Sequence, residues 1–135
     1  MNKKILVMHS EPALREIVAL YLCQIGIANG SEIVQLQDGK IGEAFIKENL
    51  HELGLVIVYD MLPRMAGEDL ARLTTNLARE EGLKIPVVLM TSRAFEENPA
   101  HRENLAKASH YVFELREITR KRLEEAVQGA IAACN

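Results

Sequence analysis

The chain of 135 residues lacks any run of the roughly 20 apolar residues that a membrane-crossing helix needs. The basic start Met1-Asn2-Lys3-Lys4 is followed by an apolar run that ends at Met8, too short for the core of a secretory leader. Cysteine is scarce. Cys23 and Cys134 are the only two, far apart, which excludes a disulfide framework and fits a reducing, cytoplasmic setting. Cys23 falls in an apolar helical pattern and reads as a small core residue, whereas Cys134, next to last, reads as exposed. An excess of one charge is also missing. With 16 basic and 19 acidic residues the formal net charge is -3, which provides no electrostatic drive toward nucleic acid or an anionic membrane. Repeats, low-complexity tracts and linkers are absent. No Gly-rich segment follows the first apolar run, so the usual phosphate cradle is missing there.

What is present suits one folded unit spanning residues 1–135: 48% hydrophobic and 26% charged residues. Short apolar runs alternate with helical patterns. Ile5–Met8 reads as a buried strand. Leu14, Ile17, Val18, Tyr21, Leu22 and Ile25 then recur at helical spacing, with Gly26 as a stop. Glu32–Leu36 reads as a second strand. Asp38 is placed to cap a helix that turns Ile41, Ala44 and Phe45 inward. Leu55–Val58 is the third strand, and Leu70, Leu73 and Leu77 mark the next helix. Ile85–Met90 follows as a strand. Asn98-Pro99 then looks like a cap with proline at the first helical position, opening a helix through Ala108. His110–Leu115 is the fifth strand candidate, and Ile118, Leu123, Val127 and Ile131 form the stripe of a last helix.

Strands that are apolar throughout are buried on both faces. Right-handed crossovers between them predict an α/β three-layer sandwich: five parallel strands in the order 2-1-3-4-5, with helices on both sides, a flavodoxin-like architecture. Ligand sites in such folds lie beyond the carboxyl ends of the strands. The positions that matter are therefore His9, Ser10, Tyr59, Asp60, Thr91, Ser92 and Glu114.

Three segments carry a resemblance to a known family. Lys4-Ile5-Leu6-Val7-Met8-His9-Ser10-Glu11-Pro12-Ala13-Leu14-Arg15 resembles the opening of a response regulator receiver domain, of the chemotaxis-regulator kind. Leu55-Val56-Ile57-Val58-Tyr59-Asp60-Met61-Leu62-Pro63-Arg64-Met65-Ala66-Gly67 is similar to that family's third strand and the loop after it. Ile85-Pro86-Val87-Val88-Leu89-Met90-Thr91-Ser92 is similar to its fourth strand. The resemblance implies phosphoryl transfer from a histidine kinase in a two-component phosphorelay. Such chemistry uses an acid pair that holds Mg²⁺, an acceptor aspartate, a Thr or Ser, and a Lys-Pro pair. Here His9 and Ser10 stand at the acid pair, Tyr59 at the acceptor and Glu114-Leu115 at Lys-Pro; Thr91 alone matches.

An imidazole and a hydroxyl are poor ligands for Mg²⁺, which wants oxygen ligands in octahedral geometry. Phosphoryl transfer relies on neutralising charge, and Glu114 adds charge of the wrong sign. Tyr59 is a phenol, not a carboxylate nucleophile. The expectation is a degenerate pseudo-receiver with no catalytic residues, no cofactor and Mg²⁺ binding lost. The alternative is a shifted register, with a loop one residue shorter, in which Asp60 takes phosphate as an active receiver does. In the unshifted register Asp60 points away from Tyr59's side, because neighbouring strand residues face opposite ways.

Individual residues have plain and sharp readings. Ser10 caps the first helix. Glu114 either accepts a hydrogen bond from His9 and raises its pKa, or the two do not touch. Tyr59 fills the emptied pocket with its ring, its hydroxyl near Thr91. Thr91 and Tyr111 match the family's paired switch positions and read here as packing residues. Arg116, Arg120, Lys121 and Arg122 form a solvated basic face or meet acidic groups on a partner. The expected function is protein–protein interaction: a partner, or a second copy in a homodimer, docks on the surface of the fourth helix, fifth strand and fifth helix. Neither nucleic acid nor membrane is an expected partner. A third reading, an unrelated small-molecule binder on the same fold, is disfavoured by the missing Gly-rich loop.

Overall fold

The computed structural model describes residues 3–28 and 31–135, so the Met1-Asn2 start lies outside the described residues. Five strands alternate with five helices. They are β1 (Lys4–Met8), α1 (Pro12–Gln24), β2 (Glu32–Leu36), α2 (Gly39–Asn49), β3 (Leu53–Tyr59), α3 (Gly67–Glu80), β4 (Val87–Thr91), α4 (Pro99–Ala108), β5 (Tyr111–Glu114) and α5 (Arg120–Cys134). All strands are parallel and stand in the order β2-β1-β3-β4-β5, as the alternating pattern predicts. No helix among the described residues is long and apolar enough to cross a membrane.

Strand parity divides the core into two layers. Leu6 and Met8 of β1, Val56 and Val58 of β3, and Val87 and Leu89 of β4 pack with Ile46 of α2, Leu70 and Ala71 of α3, and Leu105 and Ala108 of α4. Their neighbours Ile5, Val7, Leu55, Ile57, Val88 and Met90 face the other way. These meet Val18 and Leu22 of α1, Phe113 of β5, and Leu123, Ala126, Val127 and Ala130 of α5. Each large apolar side chain buried in this way contributes about 1.5–3 kcal/mol.

Asp38 caps α2 as expected: Oδ1 accepts from the Lys40 and Ile41 N–H groups, at 2.7 and 3.3 Å. Gly26, with φ of 80°, follows the end of α1. Several other expectations are corrected. The N-cap of α1 is Glu11, without a side-chain bond, and Ser10 is exposed, because the helix begins at Pro12, one residue later than a Ser10 cap requires. Asn98 stands at the cap of α4, but its amide bonds the Ala94 carbonyl instead of capping. Cys23 is exposed and Cys134 only partly so. In α2 the buried stripe runs through Gly39, Gly42 and Ile46, which leaves Ile41 39% exposed and Ala44 on the outside. Ile131, near the end of α5, is also exposed.

Candidate functional site

The carboxyl ends of β1, β3, β4 and β5 bring together His9, Tyr59, Asp60, Thr91 and Glu114. Of these, His9, Asp60, Thr91 and Glu114 are buried. Parity decides who meets whom. Asp60 follows Val58 and Val56 toward the α3–α4 layer, and Thr91 follows Leu89 the same way. Asp60 Oδ2 therefore accepts from Thr91 Oγ1 at 2.9 Å, and Thr91 Oγ1 in turn accepts from the Arg93 N–H at 3.2 Å. A third side chain joins them from α4: His101 Nε2 lies 2.9 Å from Asp60 Oδ2. Asp60 Oδ1 is buried and has no partner among the described residues.

Tyr59 turns the other way. Its ring stacks on His9, with centroids 4.1 Å apart and planes inclined by 19°. Its hydroxyl shares a hydrogen bond of 3.0 Å with Ser92 Oγ. The expected placement near Thr91 is thus corrected, since Thr91 belongs to Asp60. His9 Nδ1 accepts from the Glu11 N–H at 3.0 Å, and its carbonyl accepts from Arg15 at 2.6 Å. A neutral imidazole held in that way carries its proton on Nε2, which is buried without a partner among the described residues. Burial pushes the His9 pKa below its ordinary value, and Arg15 adds to this against the opposing pull of Glu11 and Asp60.

Glu114 does not pair with His9. Its Oε1 accepts from the Phe95 N–H at 2.9 Å and lies 3.2 Å from Arg116. Burial pushes its carboxyl up, but the hydrogen bonds of Glu117, Phe95 and Arg116 outweigh this and leave it below the usual range. In place of a hydrogen bond to His9, Glu114 fastens the loop between β4 and α4. Tyr111, the other switch-like position, lies against α5: a Cβ on Gly129 would come within 2.7 Å of its ring. Elsewhere in the basic cluster, Arg122 pairs with Glu117 and Glu125, while Arg120 and Lys121 are exposed.

The loop after β3 is held tightly. Gly67 N–H donates to the Asp60 carbonyl at 2.8 Å. A Cβ on Gly67 would lie 2.0 Å from the Tyr59 carbonyl oxygen, so only glycine admits this approach. Beside Asp60 opens a cleft of about 360 Å³ lined by Asp60, Met61, Leu62, Ala66, Glu68, Arg93 and His101.

The bonding order is Thr–Asp–His, with both partners on one carboxylate oxygen. His101 and the Thr91 hydroxyl both meet the carboxylate, whereas a nucleophile-activating relay places the base between hydroxyl and acid. No group of three or more His, Cys, Asp or Glu side chains among the described residues is placed to hold a metal ion. His101 stands outside the set that the sequence singles out. The available signal was topological: in this fold the start of α4 borders the strand ends, so a polar residue in its first turn reaches them.

No family model matches the chain. No curated protein matches it either. Solved structures do match. A response regulator receiver domain protein from Clostridium thermocellum is 19% identical with a TM-score of 0.75, over 96% of this chain and 94% of that one. The receiver domain of a Francisella response regulator is 19% identical with a TM-score of 0.68, over 99% of this chain and 100% of that one. A chemotaxis response regulator of Vibrio cholerae is 16% identical with a TM-score of 0.69, over 96% and 99% of the two chains. At these identities the likeness establishes the fold: this chain has the receiver-domain architecture.

Proposed function

We propose that the chain is a phosphorylation-independent, receiver-like signalling module that acts in the cytoplasm by protein–protein interaction and is not an enzyme. The observation that carries this reading is the state of the one carboxylate at the end of β3. Asp60 is 5% exposed and its Oδ2 is occupied internally by Thr91 and His101. Across from it β1 ends in an imidazole stacked on a phenol, and β5 ends in an acid turned to a backbone N–H. Such a donor set does not fit Mg²⁺, which takes carboxylates and waters in a near-octahedral shell. It also lacks the ammonium group that would steady a transferred phosphoryl.

The surface that would meet a partner or a second copy is formed by α4, β5 and α5, where Arg102, Lys107, Arg116, Arg120 and Lys121 are exposed. Exposed Glu103, Glu117 and Glu125 stand among them, so the surface is of mixed charge and suits a partner with a complementary charge pattern.

A second reading has one observation in its favour. Asp60 directly follows its strand within hydrogen-bond distance of the Thr91 hydroxyl and borders an open cleft, so it is the candidate acceptor if phosphate is taken from a histidine kinase. Incubation with Mg²⁺ and acetyl phosphate, followed by intact-mass measurement, separates the two. The unmodified mass is expected. Gain of one phosphoryl group, abolished by Asp60→Asn, would overturn the primary reading.

A further inference from the structure

The helix α4 is fastened unevenly. Its two buried residues, Leu105 and Ala108, both lie in the C-terminal half. In the N-terminal half, Pro99, Ala100, Arg102, Glu103 and Asn104 are all exposed, and His101 is the one residue that is not. The His101 side chain is 22% exposed, and its Nε2 lies 2.9 Å from a carboxylate that is itself only 3% exposed. Its other ties do not reach the sheet: Arg72 of α3 meets the Asn104 carbonyl at a long 3.5 Å, and the Arg102 guanidinium lies over the Phe95 ring of the preceding loop, 4.6 Å from its centroid. The loop before α4 is pinned separately, by Thr91 on the Arg93 N–H and by Glu114 on the Phe95 N–H. The half-helix therefore hangs between a fixed loop and a packed C-terminal half, held to the sheet by one side-chain pair.

We propose that His101 is a positioning residue: with Asp60 it forms a clasp that sets the N-terminal half of α4 and thereby the shape of the α4–β5–α5 surface. This rests on the proposed interaction role of that surface and adds the means by which its shape is held. The bond joins a donor to a carboxylate in a water-poor site, where such bonds are strong. Opening it frees one turn and a half of helix and leaves the sheet intact, because Leu105 and Ala108 stay packed on the core. Anything that draws His101 outward, or alters Asp60, reshapes the partner surface without unfolding the domain.

Amide hydrogen exchange on the full chain, resolved to peptides covering residues 95–108, tests the clasp. The informative amides begin at Arg102, whose N–H donates to the Asn98 carbonyl. His101→Ala is expected to speed exchange at residues 102–106 by roughly tenfold or more, with the strands unchanged. His101→Gln keeps a donor and is expected to recover part of the protection. Asp60→Ala, which removes the clasp from the other side, is expected to reproduce the local loosening. Unchanged exchange at residues 102–106 in both alanine variants overturns the clasp, and so does an increase spread evenly over the whole sheet. The measurement uses unmodified protein, so its failure leaves the phosphorylation-independent reading standing. Phosphorylation of Asp60 by acetyl phosphate would sink that reading and leave the exchange result intact.

Discussion

Replacing Thr91 with valine preserves the shape of a side chain that is 0% exposed and removes its hydroxyl alone. Two bonds go with it: the donation to Asp60 Oδ2 at 2.9 Å and the acceptance from the Arg93 N–H at 3.2 Å. The first bond is to a carboxylate, and losing such a bond costs about 1.5–3 kcal/mol. With a urea slope of about 2 kcal/mol per molar, a loss near 2 kcal/mol moves the unfolding midpoint down by about 1 M. Far-UV circular dichroism reads that shift, since the chain has no tryptophan to report by fluorescence. The decisive measurement is a pair of double-mutant cycles. In an Asp60→Ala background the cost of Thr91→Val should fall to about 0.5–1.5 kcal/mol, that of the remaining bond from the Arg93 N–H, because the carboxylate partner is already gone. In a Tyr59→Phe background it should stay near its full value, because the Tyr59 hydroxyl bonds Ser92 and not Thr91. Coupling of Thr91 to Tyr59 instead of Asp60 would refute the parity assignment on which the site is built.

Burial holds the imidazoles of both His9 and His110 below their ordinary pKa. The unfolded chain then binds more protons than the folded one below about pH 6.5, so stability is full above that value and falls on acidification through it. Thermal melts should show this slope between about pH 6.5 and 5, and the double variant His9→Gln/His110→Gln should flatten it; an unchanged slope would count against buried neutral rings. Gly67→Ala drives a methyl to within 2.0 Å of the Tyr59 carbonyl oxygen and 2.8 Å of Asp60 Cα. Backbone on both sides leaves little room to yield, so a loss of about 3 kcal/mol or more in urea unfolding is expected.

Most of the fold is legible because strand and helix periods differ and each strand here is buried on both sides. The runs Ile5–Met8 and Ile85–Met90 could be little else, and Asp38 just before the helical pattern of Ile41, Ala44 and Phe45 marks the start of a helix. The details that fail are phase errors. α1 carries apolar residues around more than one face, so Cys23 looks buried by spacing, yet it is exposed, as is the apolar Leu20. In α2, two small residues, Gly39 and Gly42, occupy the inward stripe so that Met65 and Met8 can approach, and hydrophobicity alone pointed to Ile41. At the site, parity correctly sends Tyr59 and Asp60 apart. What spacing cannot tell is which of the two shares a side with Thr91, because that depends on the register between β3 and β4. The His101 contact spans 41 positions in the chain, and its helix bears no motif, so only the assembled fold reveals it.

The anchoring of Phe95 by Glu114 has a bearing on how this chain tolerates change. A lysine at position 114 would point a cation at an N–H that needs an acceptor, and the loop of residues 92–98 would lose one of its two pins, keeping the Thr91 bond to the Arg93 N–H. Strand end and loop are thus interlocked. Drift at one is admissible only with a matching alteration at the other, so the two should co-vary among descendants of this sequence and resist being exchanged one residue at a time.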